Sequence, residues 1–106
     1  MSLDVYLKID GTTVYDDNIT HNLTAMADAA GCYEAMWRPD EIGITKAGQL
    51  VEPLKAGLMS LVTDPTRFET MNPPNGWGSY DALVEFVTAY LKACTQNPDA
   101  EVAVWR

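Results

Sequence analysis

Basic residues are scarce in this chain. It carries 7 Lys and Arg against 15 Asp and Glu, a formal net charge of −8. Lys8, Arg38, Lys46, Lys55, Arg67, Lys92 and Arg106 stand singly along the sequence, with no two adjacent. Binding to DNA or RNA needs clustered Lys and Arg to neutralise phosphates, so no direct nucleic-acid contact is expected. The acidic residues are likewise spread out, without a long run. Such a balance keeps a small domain dissolved and steers it toward basic surfaces. One function it admits is that of an acidic inhibitor docking on another protein or in a basic nucleic-acid-binding channel.

Long apolar runs are also missing. Nothing approaches the ~20 apolar residues that a membrane-spanning helix requires, so no membrane partner is expected. The opening Met1-Ser2-Leu3-Asp4 has neither the basic nor the apolar region of a secretory signal, and the expected location is the cytoplasm. Cysteine is limited to Cys32 and Cys94. With no Cys-x-x-Cys, they read as two reduced thiols rather than a disulfide framework. The sequons Asn18-Ile19-Thr20 and Asn22-Leu23-Thr24 are expected to go unused without a secretory route. What is present, 47% apolar residues in a chain of 106, suffices for one core and not for two. Residues 1–106 are read as a single domain.

Leu3 to Ile9 alternates apolar and polar side chains and predicts a half-buried strand. Asp10-Gly11 suits a tight hairpin. Thr12 to Tyr15 forms the return strand, and Asp16-Asp17-Asn18 is expected to end it. Thr20 then caps a helix over about 21–30, with Leu23, Met26 and Ala30 at helical spacing and a stop at Gly31. Cys32 to Trp37 reads as one more helical turn before Arg38-Pro39. A third helix follows Thr45, with Leu50, Leu54, Leu58, Leu61 and Val62 as its stripe and a kink or fresh start at Pro53. Asp64-Pro65 ends it, and 65–70 forms a turn with Phe68 inward. Asn72 to Gly78 is a loop rich in Pro and Gly. Ser79 caps the clearest helix, in which Leu83, Phe86, Val87, Tyr90, Leu91 and Cys94 make one apolar stripe. Glu101 to Arg106 alternates again as a last strand. This order predicts an α+β fold: a small three-stranded, mainly antiparallel sheet packed against three to four helices. The N-terminal hairpin and the C-terminal strand supply the sheet.

His21 is the one imidazole available for proton transfer. Asp16 and Asp17 lie near it in sequence, but their spacing fits no metal-ligand pattern. No second group stands where a general base would need it. A hydrolase built on His21 is therefore the weakest reading, and the chain is read as a non-enzyme with no cofactor and no metal. Cys94 completes a helical stripe and reads as core; Cys32 is the better of two weak nucleophile candidates.

Two aromatic segments carry more information. Trp37-Arg38-Pro39 and Asn75-Gly76-Trp77-Gly78-Ser79-Tyr80 set tryptophan beside polar groups, next to Pro or Gly, in segments that read as loops. Loops on a rigid scaffold are where binding groups concentrate. Indoles stack on flat rings, arginine forks onto phosphate, and a helix start offers free N–H groups. The expected site has Trp37 and Trp77 on a base and Arg38 on an anion. His21, Asn22 and Asn75 read polar edges, Ser79 opens the helix, and Tyr80 forms a wall. The alternative is a Gly-Trp-Gly loop folded over the core, with Arg38 paired to a local carboxylate.

The runs Ile19-Thr20-His21-Asn22-Leu23, Tyr33-Glu34-Ala35-Met36-Trp37-Arg38-Pro39 and Asn75-Gly76-Trp77-Gly78 through Tyr80 resemble those of small proteins encoded by bacteria and their phages. The similarity extends through Asp64-Pro65 and Tyr90-Leu91 to the closing strand, so it covers most of the chain. It implies a phage or prophage origin and no catalytic assignment. By analogy with small phage proteins that counter host defences, two functions are expected. One is sequestration of a nucleotide-like signal in the bacterial cytoplasm, with a homodimer completing the pocket. The other is direct blocking of a host protein.

Overall fold

The alternating N-terminal pattern becomes strand β1, Ser2–Ile9, in the computed structural model, which describes residues 1–106. Leu3, Val5 and Leu7 are fully buried, while Asp4, Tyr6 and Lys8 occupy the opposite face. Asp10 and Gly11 both take positive φ, 51° and 78°, the combination a two-residue hairpin turn requires. Strand β2, Thr12–Thr20, pairs antiparallel with β1 from Ile9↔Thr12 to Ser2↔Thr20, with an irregularity between Leu7 and Lys8. It therefore runs through Asp16-Asp17-Asn18, where the sequence predicts an end. Side-chain contacts across the ladder and along β2 outweigh the poor β-propensity of these residues. Asn18 Nδ2 donates to Asp4 Oδ1 (2.6 Å) and Ser2 Oγ (2.8 Å), and the Tyr15 hydroxyl donates to Asp17 (3.1 Å). Strand β3, Glu101–Trp105, pairs antiparallel with the other side of β1, so the sheet order is β2-β1-β3. The fold is α+β with a three-stranded antiparallel sheet, as the sequence pattern predicts.

Thr20 caps as expected, its Oγ1 accepting from the Asn22 N–H (3.2 Å), but the turn it opens, His21–Leu23, is a 3-10 turn. Helix α1 spans Thr24–Ala30 and α2 spans Tyr33–Trp37. A 3-10 turn at Ala47–Leu50 leads into α3, Val51–Thr63. Pro53 thus lies in the first turn of α3, where a missing N–H has no intrahelical partner to lose. Leu50, Leu54 and Leu61 are buried, but Val62 is exposed and Leu58 only half-buried. Gly57 takes the buried place instead: a Cβ there would stand 2.6 Å from Cys32 Cβ. The glycine lets α3 close against the segment joining α1 and α2.

Helix α4, Pro65–Glu69, buries Phe68. Helix α5, Tyr80–Gln96, buries Leu83, Phe86, Val87, Tyr90 and Cys94 of the expected stripe, with Ala93 buried in place of Leu91, which is half-buried. A fully buried large apolar side chain stabilises by roughly 1.5–3 kcal/mol, so α5 is a principal anchor of the fold. Tyr90 stacks on Tyr15 of β2 with centroids 6.0 Å apart, which joins helix to sheet. The 24 buried apolar residues form one cluster.

Candidate functional site

The loop between α4 and α5 is tied down on both sides of Trp77. The Trp77 N–H donates to Asn75 Oδ1 (2.9 Å), Asn22 Nδ2 donates to the Trp77 carbonyl (3.2 Å), and the Tyr80 N–H donates to Asn72 Oδ1 (2.8 Å). Gly78 lies at φ +105°, and a Cβ on it would fall 2.8 Å from Thr20 Cγ2 and 3.0 Å from Leu23 Cγ. Only glycine lets the loop run this close to the end of β2. The indole is presented rather than packed: Trp77 is 71% exposed.

Beside it opens a cleft of about 530 Å³ lined by Met1, Ser2, Asn18, Thr20, His21, Asn22 and Trp77. Several of these groups keep hydrogen-bonding capacity. Asn18 and Asn22 use their Nδ2 groups within the protein, which leaves each Oδ1 for an incoming donor. Thr20 Oγ1 accepts from the Asn22 N–H and retains its own proton to donate. His21 Nδ1 accepts from Trp37 Nε1 (2.8 Å), so the neutral ring carries its proton on Nε2 as a further donor. No Lys or Arg side chain lines the cleft. The arrangement offers a ring face, acceptors and donors, with no basic side chain other than the imidazole.

The chain matches no family model, no curated protein and no solved structure. Its chemistry is therefore read from the placement of its own side chains.

Of the residues singled out in the sequence, His21, Asn22 and Trp77 meet at this cleft. The others do other work. Trp37 closes α2 rather than sitting in a loop; it is 2% exposed and stacked on Tyr33 at 5.6 Å. With both faces enclosed it offers no surface to a base, and its N–H orients His21 instead. Arg38 donates from Nε to the Tyr33 hydroxyl (3.0 Å) and from a terminal nitrogen to Glu41 (2.6 Å). These bonds, Tyr33 first and Glu41 second, hold the guanidinium more firmly protonated and commit it to a carboxylate of its own chain. The paired-carboxylate alternative describes it. Asn75 shapes the loop through its bond to the Trp77 N–H. Ser79 Oγ accepts from the Ala82 N–H (3.1 Å) and caps α5. Tyr80 donates its hydroxyl to the Leu61 carbonyl (2.6 Å), tying the loop end to α3 instead of walling the cleft.

His21 has no carboxylate within ion-pair distance, and no group of three or more His, Cys, Asp or Glu side chains converges on a metal position. Both thiols are fully buried. Burial pushes Cys32 up to about 11 and Cys94 up to about 12, so both stay protonated at neutral pH. Cys32 is thereby corrected from nucleophile candidate to core residue. A second groove, of about 460 Å³, runs along β3 beside Pro39, Asp40 and Ile44. Its cation, Arg106, is already bonded to Asp40 at 2.8 Å.

Sequence reasoning missed Ser2, Asn18 and Thr20. A signal existed. Ser2↔Thr20 and Asp4↔Asn18 are cross-strand pairs, so period 2 continued through Thr20 places these side chains on one face, next to His21.

Proposed function

We propose that the chain is a non-enzymatic binding protein whose cleft takes the flat, uncharged part of a nucleotide-like ligand, its base and sugar. Trp77 carries this reading: a rigid loop leaves its indole in solvent beside amide oxygens, a hydroxyl and an imidazole. Stacking of a base on such a ring contributes about 1–3 kcal/mol, and a few placed polar groups then fix orientation. No Lys or Arg side chain lines the cleft, so the anion-holding role expected of Arg38 is dropped and the reading rests on base and sugar. A phage or prophage origin, which the sequence resemblance implies, fits a sequestering role in the bacterial cytoplasm by analogy only.

Isothermal titration calorimetry with adenosine, guanosine, cytidine and uridine tests this reading. At least one is expected to bind the wild type, and Trp77→Ala is expected to weaken it by about tenfold. Equal binding by the variant, or no binding of any of them, contradicts the reading.

A further inference from the structure

Strand β2 leaves one edge open. The His21 N–H donates to the Met1 carbonyl (3.3 Å), which fixes the phase of the β1–β2 ladder. Alternate residues of an antiparallel pair turn their backbone groups inward, so Tyr15, Asp17 and Ile19 bond β1 while Asp16 and Asn18 turn outward. No backbone bond beyond the sheet reaches Asp16 or Asn18. The Asn18 N–H is taken by Asp17 Oδ1 (2.8 Å), which leaves the Asp16 N–H and both carbonyls open. Next to this edge, β2 and α5 enclose a groove of about 400 Å³ lined by Asp17, Asn18, Ala82, Glu85, Phe86 and Ala89. Its floor is apolar, and its two ionisable groups are both carboxylates. Every ion pair in the molecule uses Arg38 or Arg106, so Asp16, Asp17 and Glu85 have no cationic partner.

We propose that this edge and groove bind an extended basic segment of another protein, which adds to β2 as a fourth strand and sets Lys or Arg against Asp17 and Glu85. The main-chain ladder supplies affinity and register, and side chains at alternate positions supply selectivity. The aliphatic stems of Lys and Arg suit the floor of Ala82, Phe86 and Ala89, with the charged heads reaching the carboxylates. A second copy of this chain is the wrong occupant. Antiparallel pairing of β2 with itself about Asp16 sets Asp16 and Asp17 close to their own copies, and like charges on facing strands repel. The groove adjoins the Trp77 cleft through Asn18 but makes no use of the indole, so it stands independently of nucleoside binding.

Fluorescence anisotropy with a labelled nine-residue peptide of alternating lysine and threonine tests the proposal. Saturable binding is expected. Asp17→Asn combined with Glu85→Gln weakens it roughly fivefold to tenfold, and the exposed Glu85→Gln alone about twofold. Trp77→Ala leaves it unchanged. So does Asp28→Asn with Glu52→Gln, which removes the same charge from other helices. N-methylation of alternate peptide amides abolishes binding in one phase and spares it in the other, because only one set of N–H groups faces β2. Equal weakening by both charge-removing pairs, indifference to methylation, or no binding overturns the proposal. A concentration-dependent dimer in which the Asp16 amide gains exchange protection also overturns it.

Discussion

At Trp37 the indole is enclosed beside Tyr33 and bonded to His21, whereas at Trp77 the ring stands in solvent. Loss of the first is a stability effect and loss of the second a binding effect. Trp37→Ala is expected to cost about 3–5 kcal/mol, and Trp77→Ala less than about 0.5 kcal/mol. Urea denaturation of the two variants checks both values; a Trp77→Ala variant that unfolds makes the indole part of the core. The two sites carry the same sequence signature, tryptophan beside Pro or Gly. What separates them is contact with residues distant in sequence, and α2, Tyr33–Trp37, is too short to display a period. Tyr90 presents a different contrast. Its hydroxyl is buried without a partner, and burial pushes its ionisation far upward. Tyr90→Phe keeps the ring on Tyr15 and removes an unsatisfied group, so a gain of about 1 kcal/mol is expected. A loss of that size in thermal or urea unfolding means that the hydroxyl has a partner. The buried thiols set an alkaline limit. Cys32 and Cys94, raised to about 11 and about 12 when folded, ionise near ~8.5 in the unfolded chain. Raised native values favour folding fully below ~8.5 and progressively less as pH climbs toward the folded values. Unfolding free energy should therefore fall from pH 8 to pH 10, and by less in a Cys94→Ala variant.

Among the elements, α5 was legible because its seventeen residues, Tyr80–Gln96, repeat one apolar stripe over several turns. β2 was not, because Asp-Asp-Asn reads locally as a strand end while the decisive partners, Ser2 and Asp4, lie on the neighbouring strand. α3 was legible in its end at Asp64-Pro65 and in Leu50, Leu54 and Leu61. It begins at Val51 rather than just after Thr45, however, and its face was misread at Leu58 and Val62. Val62 continues the spacing of the leucines, yet the buried side includes Gly57, which a hydrophobicity pattern does not mark. That glycine has an energetic consequence. Replacing it by alanine improves helix propensity by up to about 1 kcal/mol, but the new methyl meets Cys32 Cβ at 2.6 Å and Sγ at 2.8 Å. Overpacking of this kind costs about 1–3 kcal/mol, so the clash wins and Gly57→Ala is expected to lower the urea midpoint. An unchanged or higher midpoint shows that Cys32 moves aside without strain.

Across the whole molecule, the fold class followed from the order of patterns, while the cleft did not. It gathers residues from β1, the end of β2, a 3-10 turn and the loop before α5, and their meeting depends on ladder register and on one glycine. Charge behaves in the same way. Its net value of −8 is plain in the sequence, but only the fold shows that the ion pairs gather around Arg38 and Arg106 and leave the β2 edge unbalanced. The central claim, that Trp77 presents its ring to a ligand, is tested most directly by the indole N–H signals of the 3 tryptophans during an NMR titration with the nucleosides. The Trp77 signal is expected to shift in a saturable way together with the side-chain amide of Asn22, while that of Trp105 stays in place. A Trp77 signal that does not move at millimolar nucleoside, or that moves no more than Trp105, contradicts the claim.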